Sequence, residues 1–355
     1  MNTLKDIEIL QLNAYGVPEG DAALGEIFTV HRWWESADTD ALLRDVGPRI
    51  RGIAGRAYPW KQDKAFLDRL PNLEITAVFG AGYDSIDMDE ALRRNIMVTN
   101  TPGASAEEVA DGAMGLLIMA ARDFRKADIF LRSGRWEKTR HPLTPSLQKR
   151  KVGILGLGHI GKCIARRCAA FNLDVGYHGR GRQNVPYRYY PTLLEMANDV
   201  DVLMVAAPGN GETRHMVDAE VLGALGPNGI VVNIARGWVI DEQALLRALH
   251  DKTILAAGLD VFEAEPKVPR EFLAMDNVIC LPHVTGASTV AWVNMCNMLI
   301  GNLASWFEGK GALNPVPECL EMAKARRPSR HDRDGSTRNA NAPAAPSALR
   351  VLWND

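Results

Sequence analysis

No apolar run in this 355-residue chain can span a bilayer, since the longest, Ala113–Ala121, falls far short of the roughly 20 residues a crossing helix needs. The opening Met1-Asn2-Thr3-Leu4-Lys5-Asp6 lacks the apolar core of a signal peptide, so neither membrane insertion nor secretion is expected. Cysteine is scarce: there are five, none in a Cys-x-x-Cys pair, and an odd number cannot all pair within one chain. Reduced thiols in a cytoplasmic protein are the simplest expectation. A charge excess is missing too, because 41 Lys and Arg against 43 Asp and Glu leave a formal net charge of −2. With no global attraction for nucleic acid or acidic lipid, the expected partners are small molecules, and the informative charges must be local.

What is present is apolar content, 46%, enough for two cores in a chain of this length. Strand-like runs alternate with helix-like ones from Ile7–Leu12 to Ile96–Thr99, and the alternation resumes at Lys151 after a helical stretch expected over about Ala106 to Ser133. Helical runs start at Asp218 and Asp241, and a last helix is expected from about Ala287 to Glu308. The pattern predicts an α/β protein with two doubly wound parallel sheets. From about Ala323 the composition turns to Arg, Ala, Pro, Ser and Asn, which cannot bury enough apolar surface to fold alone, so 323–355 reads as a disordered tail.

The run Lys151–Leu155 is a short strand that leads directly into Gly156-Leu157-Gly158-His159-Ile160-Gly161 and then a helix-forming stretch. Gly-x-Gly-x-x-Gly in that setting suits a dinucleotide. The first glycine allows the tight turn, the second admits a pyrophosphate to the backbone, and the third lets helix and strand pack closely. A site for the free ribose hydroxyls of NAD places a carboxylate about 20 residues further on. None stands there. The second strand, Leu173–His178, ends in Gly179-Arg180-Gly181-Arg182, whose guanidinium groups match a 2′-phosphate, so NADP is expected, with NAD as a possible substitute.

Three polar residues follow later strands: Arg236 after Val231–Ala235, Glu265 after Leu259–Ala264, and His283 after Ile279–Pro282. Ligands bind at the carboxyl ends of strands in an open α/β sheet. Singly, each residue is more often a surface charge or a packed ring. Together they can reduce a 2-keto acid. A histidine can protonate the developing alkoxide, a carboxylate beside it can orient it and favour its charged form, and an arginine can hold the substrate carboxylate and polarise the keto group.

The chain resembles the D-isomer-specific 2-hydroxyacid dehydrogenase family, most closely its NADP-preferring glyoxylate/hydroxypyruvate reductase branch. The resemblance runs from about Ile7 to Val316 and rests on Val78–Asp87, Asn100-Thr101-Pro102-Gly103, Lys151–Gly161, Asn233–Gly237, Gly258–Pro266 and Leu281-Pro282-His283. It implies a flavodoxin-like substrate domain from 1–100 and about 287–320, and a Rossmann cofactor domain from 101–286. Arg236, Glu265 and His283 become the catalytic trio, with substrate also bound by backbone N–H groups of Ala81 and Gly82. Cofactor contacts are implied along Gly156 to Gly161 and at Gly179, Arg180 and Arg182. They are also implied at Pro208, Thr213, Ile234, Ala235, Arg236, His283 and Gly286, and at Asp260, which would bond the nicotinamide carboxamide. A homodimer through the cofactor domain is implied as well.

Two positions depart from the family pattern: Thr285, where many members carry glycine, and Val109, near which a threonine is frequent. Glu265 argues against the formate-oxidising relatives, which carry glutamine there, and Gly179 against the phosphoglycerate-oxidising ones. Other readings are a reductase of bulkier 2-keto acids such as phenylpyruvate or 2-ketogluconate, its pocket lined by Arg56, Trp60, Tyr83 and Trp136, and a dinucleotide-sensing binding protein.

Overall fold

The computed structural model describes residues 3–56 and 61–325. The chain divides into two compact units, Met1–Ser105 with Ser288–Asp355, and Ala106–Ala287.

In the first unit, β1 (Glu8–Gln11), β2 (Thr29–Arg32), β3 (Ile50–Gly55), β4 (Ile75–Val78) and β5 (Met97–Thr99) pair in parallel in the order β2-β1-β3-β4-β5. This is the flavodoxin-like order, in which helical crossovers cover both faces of the sheet. The late helix Thr289–Phe307 belongs to the same core because Ala291, Met295, Leu299 and Leu303 recur every four residues and are buried among Ile9, Ile53 and Ile75. Ser288 starts it by accepting the Ala291 N–H at 3.0 Å.

The second unit holds β6 (Lys151–Leu155), β7 (Asp174–His178), β8 (Arg188–Tyr189), β9 (Val202–Val205), β10 (Ile230–Asn233), β11 (Ala256–Leu259) and β12 (Val278–Cys280). They form one parallel sheet ordered β12-β11-β10-β9-β6-β7-β8. Counted from β6, that is the Rossmann order with one further strand. Alternation along β9 shows why both faces are covered: Leu203 and Val205 join one apolar cluster, Val202 and Met204 the other. The strand order reverses between β6 and β9, which opens a crevice at their carboxyl ends.

The two doubly wound parallel sheets agree with the sequence pattern, and three local features do not. The helix expected over Ala106 to Ser133 is two, Ala106–Arg122 and Phe124–Arg132, broken at Asp123, whose φ of 51° is left-handed. Aspartate is among the few non-glycine residues that tolerate this conformation, and the apolar pattern runs on across it. β8 was not expected, because two residues at a sheet edge carry no periodicity. The first residues of the tail expected from Ala323 belong instead to a helix, Leu320–Ala325; residues 326–355 lie outside the described ones.

Candidate active site

The glycine-rich turn leaves β6 at the crevice. Gly156 has a φ of 95°, and a Cβ there would stand 2.7 Å from the backbone of Ala207 on the loop after β9. A Cβ on Gly161 would run into the carbonyl oxygen of Gly156, so the first turn of the helix His159–Ala170 sits against the strand end only because that residue is glycine. Gly158 differs: a Cβ there would meet nothing within 4 Å. Its backbone faces open space beside the first-turn N–H groups of His159 and Ile160, which a helix leaves unpaired. This is a cradle that a pyrophosphate fits and a side chain would fill.

After β7 the chain folds back over that turn. Gln183 donates its side-chain N–H to the Leu157 carbonyl at 3.0 Å and its backbone N–H to the Tyr177 hydroxyl at 2.6 Å. Gly179 leaves the approach unobstructed, its hypothetical Cβ 4.0 Å from the Leu157 nitrogen. Arg180 and Arg182 are exposed, and neither has a hydrogen bond or ion pair among the described residues. Unpaired guanidinium groups beside a pyrophosphate cradle suit the 2′-phosphate of NADP.

The three chemistry-bearing residues follow the adjacent strands β10, β11 and β12. Arg236 sits on a turn built by Asn233, whose side chain accepts the Ala235 N–H at 3.0 Å and donates to the Arg236 carbonyl at 2.9 Å. Gly237 lets this turn touch the next one, since a Cβ there would overlap the Phe262–Glu263 backbone. Glu265 accepts the Phe262 N–H at 3.0 Å through one oxygen and the His283 Nδ1–H at 2.8 Å through the other. Burial pushes the Glu265 carboxyl up, but the bond and charge of His283, the Phe262 N–H and the nearby Arg236 together hold it below the usual carboxylate value. The His283 ring is half exposed, and its Nε2 has no hydrogen-bond partner among the described residues. The pair therefore presents an aimed, open ring nitrogen.

Asp260, 1% exposed, spends its carboxylate on the His283 loop. It accepts the Val284 N–H at 2.8 Å, the Thr285 N–H at 3.0 Å and the Thr285 hydroxyl at 2.6 Å. Pro208 is held by the Thr213 hydroxyl, which donates to its carbonyl at 2.7 Å. Ile234 and Ala235 lead from β10 to Arg236, and Gly286 follows Thr285.

In the first unit, the loop after β4 is shaped by Gly80, with a φ of 140°, and tied down by Asn100 and Thr101. The Asn100 side chain donates to the Ala81 carbonyl at 2.7 Å, and Thr101 accepts the Gly80 N–H at 3.1 Å. The N–H groups of Ala81 and Gly82 have no partner among the described residues. Tyr83 donates its hydroxyl to Glu318 at 3.0 Å, and the Arg56 guanidinium lies over the rings of Phe79 and Trp292. Trp136 belongs to the other unit and is exposed; Trp60 lies outside the described residues. Sequence reasoning did not single out Asn233, Gln183 or the role of Thr285. Asn233 had a signal, a polar residue ending an apolar strand, and Gln183 had none.

Residues 114–285 match the family model described as D-isomer specific 2-hydroxyacid dehydrogenase, NAD binding domain. Glyoxylate/hydroxypyruvate reductase A of Arabidopsis thaliana is 42% identical over 291 residues, 81% of this chain and 92% of that protein. The 2-ketogluconate reductase of Gluconobacter oxydans is 39% identical, over 84% of this chain and 96% of its own length. Among solved structures, the NADPH-dependent glyoxylate/hydroxypyruvate reductase of Sinorhizobium meliloti, in complex with NADP and malonate, is 44% identical. It superposes with a TM-score of 0.82 over 88% of this chain and 97% of that one. An aimed histidine–glutamate pair beside a dinucleotide cradle, together with these likenesses, establishes that the chain belongs to the D-isomer specific 2-hydroxyacid dehydrogenase family.

Proposed function

We propose that the protein uses NADPH to reduce a small 2-keto acid, glyoxylate, hydroxypyruvate or a close analogue, to the D-2-hydroxy acid. The observation that carries this reading is the His283 ring, held by Nδ1 on Glu265 at 2.8 Å with Nε2 open. The names of the Arabidopsis and Sinorhizobium relatives support the substrate class. The glycine turn Gly156 to Gly161 would hold the pyrophosphate, and Arg180 and Arg182 the 2′-phosphate. When bound, the nicotinamide supplies a hydride to the keto carbon. Arg236 pairs with the substrate carboxylate and draws charge onto the keto oxygen, with the N–H groups of Ala81 and Gly82 as further carboxylate donors. His283 gives its Nε2 proton to that oxygen as it becomes an alkoxide, and Glu265 keeps the imidazolium oriented while it waits.

A panel of 2-keto acids assayed with NADPH and NADH tests the proposal. Glyoxylate or hydroxypyruvate should have the highest kcat/KM, with NADPH preferred; absence of turnover on every 2-keto acid would favour the dinucleotide-sensing reading. A second substrate class has support in the 2-ketogluconate reductase likeness and in hydroxyphenylpyruvate reductase of Plectranthus scutellarioides, 37% identical. The same panel, extended to those acids, separates the two.

The proposal includes a homodimer formed through the second unit. Phe124, Ile129, Leu131, Trp136 and Leu143 leave large apolar side chains exposed along one stretch of that unit, an arrangement that a second copy would cover. Sedimentation of wild type and of L131D should show a dimer and a weakened dimer; a monomeric wild type would end this part of the reading. A reducing, cytoplasmic compartment is also part of it, supported by five free cysteines, four of them buried.

A further inference from the structure

His283 holds a left-handed backbone conformation, φ 55°, which costs a non-glycine residue energy. Its surroundings keep it there. Asp260 grips the chain from 283 to 285 at every step: its carbonyl accepts the His283 N–H at 2.9 Å, and its carboxylate accepts the N–H groups of Val284 and Thr285. The Thr285 hydroxyl adds the shortest of these bonds, 2.6 Å to Oδ2. A buried carboxylate that accepts from three groups has little freedom to turn, and Thr285 supplies two of the three.

The space that Thr285 occupies has its own cause. In the helix Ala106–Arg122, position 112 is glycine, and a Cβ there would lie 2.6 Å from both Cβ and Cγ2 of Thr285 and 3.0 Å from its Cα. The Thr285 backbone and Cβ are both involved, so no rotation of the threonine side chain alone would relieve the overlap. Glycine in a helix interior is unfavourable relative to alanine, yet here alanine would push the histidine loop away. A glycine at 285 could neither donate the hydroxyl bond nor fill the space over Gly112.

We propose that Thr285 is a positioning residue for the proton-donating histidine and that Gly112 is the complementary small residue that admits it. The inference rests on His283 being the acid of the proposed reduction. The ring then has two anchors, Glu265 on its Nδ1 and the Asp260–Thr285 grip on its backbone. Loss of the second anchor changes where Nε2 points and leaves Arg236, the glycine turn Gly156 to Gly161, and Arg180 and Arg182 in place.

The test is a set of variants read by steady-state kinetics and by amide hydrogen exchange. T285V should lower kcat about tenfold, less than the roughly hundredfold cost of a 1 Å misplacement, with KM for keto acid and NADPH nearly unchanged. T285S, which keeps the hydroxyl, should retain most of the activity. G112A should lower kcat in the presence of Thr285 and cost much less in T285G, because the two contacts at 2.6 Å are then gone and only the 3.0 Å approach to the backbone Cα remains. In T285V and G112A, amides from 283 to 286 should exchange faster while β11 and β12 keep their protection, a readout that needs no turnover. If T285V folds poorly, T285S and G112A with T285G decide the matter by themselves. Wild-type kcat and wild-type exchange in T285V would overturn the anchor, as would effects of G112A and T285G that simply add. A shift in NADPH KM with kcat unchanged would overturn it too, assigning Thr285 to cofactor binding. Faster exchange at 283–286 in a protein whose wild type reduces no 2-keto acid would sink the proposed reduction and leave the anchor standing.

Discussion

The loop that leaves β7 keeps Arg180 and Arg182 exposed and unpaired among the described residues, whereas the loop that leaves β12 ties His283 to Glu265 and Asp260 before any ligand arrives. Both are loops at the carboxyl edge of one parallel sheet. The difference suits the roles proposed for them: a phosphate brings its own charge and oxygen atoms, so a site for it needs only available donors, while a proton must be aimed within a fraction of an ångström at an oxygen that becomes basic only during the reaction. Unpaired charge prepares for binding, and satisfied hydrogen bonds prepare for catalysis.

If that contrast is sound, damage at the β12 loop should reach the chemical step. His283→Ala should lower kcat by about 10²- to 10⁴-fold with NADPH affinity, measured by fluorescence titration, nearly unchanged. A variant that lost cofactor binding instead would erase the distinction between the loops. Arg236→Lys keeps the charge but loses the planar fork, and should raise KM and lower kcat together, by about a hundredfold in kcat/KM. Aldehydes without a carboxylate provide the control: they should be poor substrates of wild type and lose proportionately less in the variant.

At the β7 loop the effect should be smaller and confined to cofactor choice. Gly179→Asp combined with Arg180→Ala should move the ratio of kcat/KM values from NADPH toward NADH by about ten- to a hundredfold, the scale of one or two charge-assisted hydrogen bonds. Turnover at saturating cofactor should stay near that of wild type. Equal use of NADH and NADPH by the unaltered enzyme would remove the role given to the arginines.

The smallest expected effect is on stability. Because Glu265 is held below the usual carboxylate value in the folded protein, it contributes stability above its unfolded value, near 4.5, and that contribution is lost as pH falls through its lower folded value. Urea denaturation should find Glu265→Gln less stable than wild type at pH 7, with the gap closing in acid. A gap that widened as pH fell would reverse the assigned direction.

Much of the architecture could be read along the chain. The helices that follow Asp218 and Asp241 begin where those side chains cap them, Asp218 accepting the Val221 N–H and Asp241 the Ala244 N–H, each within three residues. Gly156 and Gly161 could be read the same way, since turn and helix start are neighbours in sequence. Thr285 stood out only as an unusual residue, and nothing near it in the chain pointed to Gly112 or to the carboxylate of Asp260 that accepts its hydroxyl.

By itself the sequence determined the glycine turn, the alternation that builds two parallel sheets, and the residue types at the strand ends, because these depend on backbone freedom and on hydrogen bonds between near neighbours. Tertiary structure decided the break at Asp123, the edge strand β8, the return of Gln183 to the Leu157 carbonyl, and the grip of Asp260 on the His283 loop. Those contacts join residues distant in the chain, and their geometry exists only once the order β12-β11-β10-β9-β6-β7-β8 has set the strand ends side by side.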